Sequence, residues 1–437
     1  MISCFMLEAE FFSEPREFQN LHYIINKIDE NRESICSYPS EALIEIIHEY
    51  GKMLGRKREL LKYEGVPFLS LWLKKENIRR ILRINFKETQ CLDDFIELES
   101  GKFIKAQPRG IVCHFMAGNV PTLSIFSLIQ ALLCKNVNLL RVPFESVKVV
   151  LEILKPLLDI KISFEGKQYY GRDLLKSTCI IYFPSSDKAL NEEMSLGADV
   201  RVIWGGEVAV NSIAVLPKKT TCKDIIFGPK YSFAVFDRSI MESSGLPKTF
   251  DSLAQDIISF DQNACSSPQI LFIERSSLSL KEVGVLLSES LEKIAKRYPN
   301  NSISQSTLAR ILNKRGEYLL STDKDIICNK DLQYTVLMDR NLSLEEPVNG
   351  RTIFLKEVED ILDVCKLITS RIQTIGIASE DNDKMKNFAN RVSLRGVNRI
   401  VKVGCMSFFD SPWDGILLMN ELVKWTTLDM VFVKGGE

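Results

Sequence analysis

GIVCHFMAGNVPTLSIFSLIQALLCKNVNLLR, residues 110–141, decides the fold class. Ile111 to Phe115 is a short apolar run of strand length. Gly118-Asn119-Val120-Pro121 marks a turn. The apolar stretch that follows, to about Lys135, reads as a helix, and Val137 to Arg141 as a second short strand. A strand, a turn, a helix and a strand form the crossover unit of a parallel sheet, since parallel neighbours cannot be joined by a tight hairpin.

The same alternation continues downstream. Ser146 to Leu158 reads as a helix, Cys179 to Phe183 as a strand, Asp187 to Met194 as a helix and Val200 to Ile203 as a strand. Gly205-Gly206 and a helix come next, then a strand at Ser232 to Phe236. A second set has strands at Gln269–Glu274, Tyr334–Met338, Arg351–Leu355, Thr374–Ala378 and Arg399–Val403. Its helices are expected at Leu280–Arg297, Glu357–Thr369 and Asn382–Asn390. The pattern predicts an α/β protein of two doubly wound domains joined near 225–265, and a cleft between domains is a common ligand site. Upstream, apolar residues recur at helical spacing through Leu21–Ile28, Leu43–Ile47 and Leu69–Leu82. Phe95 to Ile104 alternates around Ser100-Gly101, as a hairpin would.

Composition narrows the function. The chain has 437 residues, enough for two or three domains, with 45% hydrophobic and 26% charged residues. Lys plus Arg is 56 against 57 for Asp plus Glu, a net charge of −1. That balance offers no electrostatic footprint for nucleic acid and no polybasic stretch for an anionic membrane. Eleven cysteines are scattered without a CxxC, which predicts reduced thiols in a reducing, cytoplasmic compartment. Only His22, His48 and His114 are present, so neither a histidine-based zinc site nor a Ser-His-Asp triad is expected, and no metal is predicted. No basic segment precedes an apolar run at the N-terminus, so no signal peptide is expected. The longest apolar run, Val120 to Cys134, is too short and too hydroxylated to span a bilayer.

Five segments carry candidate chemistry. Asp261-Gln-Asn-Ala-Cys265-Ser-Ser-Pro-Gln269 sets a cysteine in a polar turn between a helical stretch and an apolar strand. Such a turn can keep a thiolate accessible with backbone N–H groups nearby, although free cysteine is more often a small core residue. In His114-Phe-Met-Ala-Gly-Asn119-Val-Pro121 a strand end runs into a helix, where a parallel sheet presents ligand contacts. Asn119 there is either a hydrogen-bond donor to a developing oxyanion or a helix cap. Trp204-Gly205-Gly206 follows a strand, and glycines at such a turn let the backbone approach a phosphate. No GxGxxG and no P-loop accompanies it. Phe227-Gly228-Pro-Lys230 and Ser411-Pro-Trp-Asp-Gly415 each precede or form a turn.

In order and spacing these segments resemble the aldehyde dehydrogenase superfamily, and within it the acyl-CoA reductase family, to which the long-chain fatty acid reductase of bacterial luminescence belongs. The resemblance covers roughly residues 95–437. Gln107-Pro-Arg-Gly110 is similar to the family's Glu-Pro-x-Gly, and Asn119 falls at its oxyanion-hole asparagine. Arg141-Val-Pro143-Phe-Glu145 resembles the Lys-Pro-x-Glu that grips the adenosine ribose. Ile203-Trp204-Gly205-Gly206 resembles the helix start beneath the dinucleotide. Phe227-Gly228-Pro-Lys230 is similar to Leu-Gly-Gly-Lys, and Cys265 matches the nucleophile of Gly-Gln-x-Cys. Pro412-Trp-Asp-Gly415 and Lys424-Trp425 resemble the C-terminal signature of the acyl-CoA reductases. Hydrolytic members carry a Glu just before Leu-Gly-Gly-Lys; Ile226 stands there, and an apolar residue is no base. Glu345-Glu346-Pro347 bears a partial similarity to the superfamily's second acidic motif.

The resemblance implies a helical N-terminal region over 1–94 packed on a coenzyme domain at 95–225. It further implies a catalytic domain at 226–410 with Cys265, and a C-terminal segment, 411–437, returning to the coenzyme domain. The hairpin near 95–105 and a terminal strand at Leu428–Val433 would form an oligomerisation element. The implied reaction is NADPH-dependent reduction of an acyl thioester, on coenzyme A or a protein, to the aldehyde. Cys265 would be the nucleophile and Asn119 the oxyanion donor, with Arg141, Pro143, Glu145, Trp204, Gly205, Gly206, Gly228 and Lys230 on the coenzyme. A homo-oligomer and an acyltransferase or acyl-protein synthetase partner are further expectations. An acyl-phosphate reductase of the same fold and a non-catalytic scaffold subunit are the alternatives.

Overall fold

The computed structural model describes residues 1–300 and 303–430. It divides into two units: Met1–Gly228 with the chain from Asp410 onward, and Pro229–Phe409.

The first unit is built on a seven-stranded sheet. In spatial order its strands are Lys223–Phe227, Val200–Trp204, Ile111–Phe115, Val137–Arg141, Thr178–Tyr182, Ile2–Leu7 and Glu10–Phe18. The first five are parallel, with Ile111 opposite Val137 and Val112 opposite Val200. The Ile111–Phe115 and Val200–Trp204 strands are buried along their whole length, as strands covered on both faces must be. Chain order reverses between these two, and such a reversal opens a crevice at the carboxyl ends of the strands. The loops at 116–121 and 205–206 leave from those ends.

The N-terminal region is not wholly helical. It opens with an antiparallel hairpin, Ile2–Leu7 and Glu10–Phe18, whose first strand pairs with Thr178–Tyr182 and so extends the sheet. Helices follow from His22 to Phe86; the longest, Ser40–Arg56, buries Leu43, Ile44, Ile46 and Ile47. Ile96–Glu99 and Lys102–Pro108 form the expected hairpin, and Val423–Asp429 pairs antiparallel with its second strand. This last strand starts earlier than Leu428; the rest of the expected strand, 431–433, lies outside the described residues.

The second unit has its own seven-stranded sheet, ordered Asp325–Cys328, Thr335–Asp339, Thr352–Val358, Pro268–Glu274, Tyr231–Phe236, Ile372–Ala378 and Arg399–Lys402. All pairs are parallel except the first. Glu357–Thr369 is not a helix: the strand runs on to Val358 and a 3-10 turn spans Ile361–Leu367. The helix Gln305–Leu319 and the strand Asp325–Cys328 carry no marked signal in the sequence. A capping box of Ser279 and Glu282 starts the helix Leu280–Ala295. Among the described residues no helix is long and apolar enough to cross a membrane, and no His/Cys/Asp/Glu cluster could hold a metal.

Candidate active site

The turn that carries Cys265 is over-determined. The helix Leu246–Ile258 ends, and Phe260, Asp261 and Gln262 all take left-handed backbone angles, φ 55°, 48° and 64°. Three successive non-glycine residues in this region cost energy that their surroundings must offset. Gln262 is buried. Its Nε2 donates to the carbonyls of Pro268 and Thr352 at 2.8 Å each, and its Oε1 accepts the Thr352 N–H at 2.8 Å. Arg351 clamps Asp261 at 2.6 Å, and Gln269 Nε2 donates to the Gln262 carbonyl at 3.3 Å. The result is a fixed loop at the amino ends of the strands, with Asn263 exposed and Cys265 half-buried.

Cys265 is held at two atoms. Its carbonyl accepts the Ser232 hydroxyl at 2.7 Å, and its Sγ accepts Nε2–H of Gln373 at 3.0 Å. Seven of the eleven cysteines are buried, and for Cys91 burial raises the thiol to about 11. Buried, protonated thiols are poor nucleophiles. Cys36 is half-buried as well, but desolvation raises it too.

In the first unit, Asn119 is exposed. The helix Thr122–Leu133 takes Pro121 as its N-cap, and the cap residue makes no side-chain cap hydrogen bond. Ser146 donates to the Gly118 carbonyl at 3.3 Å. A Cβ at Gly118 would come within 3.3 Å of Pro143 Cβ. The Asn119 loop therefore rests on the start of the helix Phe144–Leu154, whose N-cap is Pro143 and whose first turn carries exposed Glu145. Arg141 has a structural task that sequence reading did not foresee. Its Nε and Nη2 donate to the Phe183 carbonyl at 3.2 and 3.0 Å, the guanidinium lies 5.0 Å over the Phe183 ring, and burial draws its pKa down.

Trp204 is buried and stacks on Phe227 with 3.7 Å between centroids and 8° between planes. Its indole N–H donates to Ser127 Oγ at 3.4 Å, and Ser127 meets His114 Nδ1 at 2.9 Å. His114 Nε2 meets Asn138 Oδ1 at 3.0 Å, and Asn138 Nδ2 donates to the Asn136 carbonyl. The donors fix the tautomer: Asn138 offers oxygen, so Nε2 carries the proton, and Ser127 donates to Nδ1. Desolvation lowers this fully buried imidazole to about 4. Gly205 N–H donates to the Phe227 carbonyl at 3.2 Å, and Gly206 caps the helix Glu207–Ala214. A Cβ at Gly206 or Gly228 would meet nothing within 4 Å. Open space at a helix start on the carboxyl edge of a parallel sheet fits a dinucleotide, and the exposed Glu207 next to Gly206 suits a hydroxyl donor of a ribose better than a phosphate oxygen.

Arg201, fully buried, pins the far end of that helix. It pairs with Asp224 at 2.6 Å and donates to the Ile213 carbonyl at 3.0 Å. Lys230 belongs to the second unit, where its Nζ donates to Asn398 Oδ1 at 3.0 Å. Glu345 is tied at 3.0 Å to the buried Lys356, which also holds Asp339 at 2.8 Å. The first unit thus brings together Asn119, Pro143 and Arg141 on one side and Trp204, Gly205, Gly206 and Gly228 on the other; the second holds Cys265 and Lys230. Sequence reading missed Gln373, Ser232 and Lys356, since each lies within a strand or beside apolar runs that read as core.

The fold is that of the aldehyde dehydrogenases. Aldehyde dehydrogenase 21 of Physcomitrella patens, solved with the reaction product succinate, superposes with a TM-score of 0.70 over 99% of both chains at 12% identity. A NAD-dependent benzaldehyde dehydrogenase of Corynebacterium glutamicum gives 0.62 at 14% identity, covering 99% of this chain and 94% of the other. The family model described as acyl-CoA reductase (LuxC) matches residues 19–425, and the chain belongs to that family. Among its relatives, the long-chain acyl-protein thioester reductase of Aliivibrio fischeri is 25% identical over 398 residues, 88% of this chain and 78% of that one. The protein of the same description from Vibrio harveyi is 24% identical over 377 residues, 86% and 75% of the two chains.

Proposed function

We propose that this protein reduces a fatty acyl thioester, carried on coenzyme A or on a protein, to the aldehyde through an S-acyl intermediate on Cys265. The observation that carries the reading is the Cys265 turn, a half-buried thiol at a rigid bend with an amide N–H on its sulfur, in a chain of the acyl-CoA reductase family. The relatives' description as long-chain acyl-protein thioester reductases supports the substrate class.

In this mechanism the Cys265 thiolate attacks the thioester carbonyl carbon. The Asn119 side chain and the Cys265 backbone N–H receive the oxyanion, and the carrier thiolate departs with the bonding pair. Ile226, in place of a base, leaves water unactivated, so the acyl-enzyme waits. A nicotinamide coenzyme, when bound, supplies hydride. Gly206, Gly228, Trp204 and Gly205 would frame it, Pro143 and Glu145 would meet the ribose, and Lys230 completes the proposed set. Reduction leaves a thiohemiacetal on Cys265, whose collapse frees the aldehyde and returns the thiolate. NADPH is the proposed coenzyme, from Arg141 at the end of its strand. A guanidinium pairs well with a 2′-phosphate, although the Phe183 carbonyl already holds two of its nitrogens. Equal specificity constants for NADPH and NADH would remove that detail. The proposal extends to a reducing, cytoplasmic setting, a homo-oligomer, and a partner that supplies the acyl group.

Mass spectrometry after incubation with acyl-CoA, without coenzyme, tests the reading. One acyl adduct on the Cys265 peptide is expected, absent from Cys265→Ala. An adduct that persists stoichiometrically on another cysteine in that variant would remove Cys265 as the nucleophile. An adduct from acyl phosphate but none from acyl-CoA would point to the acyl-phosphate alternative.

A further inference from the structure

The Cys265 sulfur sits at the end of a chain of hydrogen bonds that begins at a cation. Gln373 lies at the start of the Ile372–Ala378 strand, at the same sheet end as Ser232 and Pro268, and is fully buried. Its Nε2 is 3.0 Å from Cys265 Sγ, and its Oε1 is 3.4 Å from Thr374 Oγ1. Thr374 Oγ1 in turn lies 3.3 Å from Arg399 Nη1. A guanidinium only donates, so Thr374 accepts from Arg399 and has its own proton for the Gln373 oxygen. That settles the amide: oxygen toward Thr374, NH2 toward the sulfur. The reversed amide would aim two donors at one hydroxyl and leave the hydroxyl proton without its acceptor.

Arg399 is itself fixed. It donates to the carbonyls of Met406, Cys405 and Phe408 at 2.7, 2.9 and 2.8 Å. Buried Asp256, on the helix that leads into the Cys265 turn, accepts the N–H groups of Gly404 and Met406 in the same loop. Ser232 completes the frame: its hydroxyl holds the Cys265 carbonyl and accepts the Thr374 N–H at 3.1 Å. Every dipole along Arg399, Thr374 and Gln373 presents its positive end toward the sulfur.

We infer that Gln373, oriented by Thr374 and Arg399, holds the Cys265 sulfur in its thiolate form, with the thiol proton given up to water. The inference deepens the reading of Cys265 as nucleophile and rests on it. A hydrogen bond to the charged form favours that form, and one from a buried amide is stronger than its counterpart in water. Gln373 touches the reacting atom; Thr374 and Arg399 act through it as positioning residues.

The test is the pH profile of Cys265 alkylation by iodoacetamide, read peptide by peptide by mass spectrometry in the full-length protein. Cys265→Ala serves as the blank, and melting curves confirm that each variant is folded. Gln373→Leu should move the midpoint up by about one pH unit or more. Below both midpoints it should react roughly threefold more slowly per unit moved, since a tenfold loss of thiolate is partly offset by the thiolate's higher reactivity. Above both midpoints it should react faster than the parent, by about threefold per unit, since thiolate nucleophilicity rises with pKa. Thr374→Ser keeps the orienting hydroxyl and should match the parent; Thr374→Val should shift in the same direction as Gln373→Leu. A midpoint unchanged in a folded Gln373→Leu, or a slowing equal at every pH, overturns the inference. A shifted midpoint in a protein that no acyl thioester acylates would retire the thioester reading and leave the amide's role standing. An unshifted midpoint in a protein that is acylated would do the reverse.

Discussion

At the scale of single residues, the proposed mechanism makes Ile226 the position that decides how long an acyl-enzyme would survive. It has no proton to move, and its side chain is 38% exposed on the Lys223–Phe227 strand. A carboxylate there keeps contact with water, so Ile226→Glu should fold with little loss of stability. A positioned general base contributes about 10²–10⁴-fold, and release of free acid from the acyl-enzyme should rise measurably in this variant. The parent should turn acyl-CoA over to free acid only slowly without coenzyme; rapid hydrolysis would mean that another base serves Cys265. Asn119→Ala separates oxyanion binding from a structural role, because the first would slow acylation and the second would lower stability. If Asn119 is the oxyanion donor, acylation should slow by roughly 10²–10³, while a loss of stability with normal kinetics would leave only the structural role. Normal kinetics would remove Asn119 from the site. The turns that carry Cys265 and Asn119 stand out in the sequence because polar residues interrupt an apolar pattern at both places. Gln373 was not, because one polar residue in an apolar strand has the same appearance whether it faces a thiol or satisfies a buried carbonyl.

Elements were legible where periodicity was strong and hidden where a turn lacked its usual residues. The Ile111–Phe115 and Val137–Arg141 strands lie where the apolar runs put them. The N-terminal hairpin turns at Glu8 and Ala9, both left-handed at φ 52° and 60°, positions that glycine or asparagine normally announces. Two buried polar clusters, neither visible as a motif, hold the elements around the proposed coenzyme site. Arg201→Ala strips Asp224 of its buried partner and the Glu207–Ala214 helix of its anchor. A loss of about 3–5 kcal/mol is expected in denaturant unfolding; a loss under 1 kcal/mol would mean Lys218, which also contacts Asp224, suffices. His114 makes the first unit acid-sensitive. Its imidazole titrates near 4 when folded against an ordinary 6.5, so the unfolded chain binds the extra proton between those values. The associated stability is complete above about pH 6.5 and falls as the pH drops toward 4, by roughly 3 kcal/mol in all. His114→Gln should flatten that limb in melts at pH 4.5 and 7. An unchanged pH slope would place the titrating group elsewhere.

For the whole molecule, two α/β units and their crossovers follow from strand and helix alternation, whereas assembly does not, because an edge strand and an interior strand share one alternation. The three-stranded sheet of the first unit ends in edge strands Ile96–Glu99 and Val423–Asp429. Both carry apolar side chains outward: Leu98 is 65% and Leu428 39% exposed, with Met430 at 44% just beyond. Exposed edges with apolar side chains pair with other chains unless blocked, and a second copy of the same sheet offers a self-complementary partner. On this proposal, lysines at both positions would blunt the edges, because charge on an edge strand opposes pairing. Leu98→Lys with Leu428→Lys should therefore lower the mass measured by light scattering toward that of one chain. The melting temperature of each unit should change little, since both side chains already face solvent. If the parent is a multimer and the double variant keeps the parent's mass, the subunits meet elsewhere. If the variant dissociates and Cys265 is still acylated, the setting of its sulfur needs no second chain, in keeping with the Ser232, Gln373 and Gln262 contacts, which all lie within one chain.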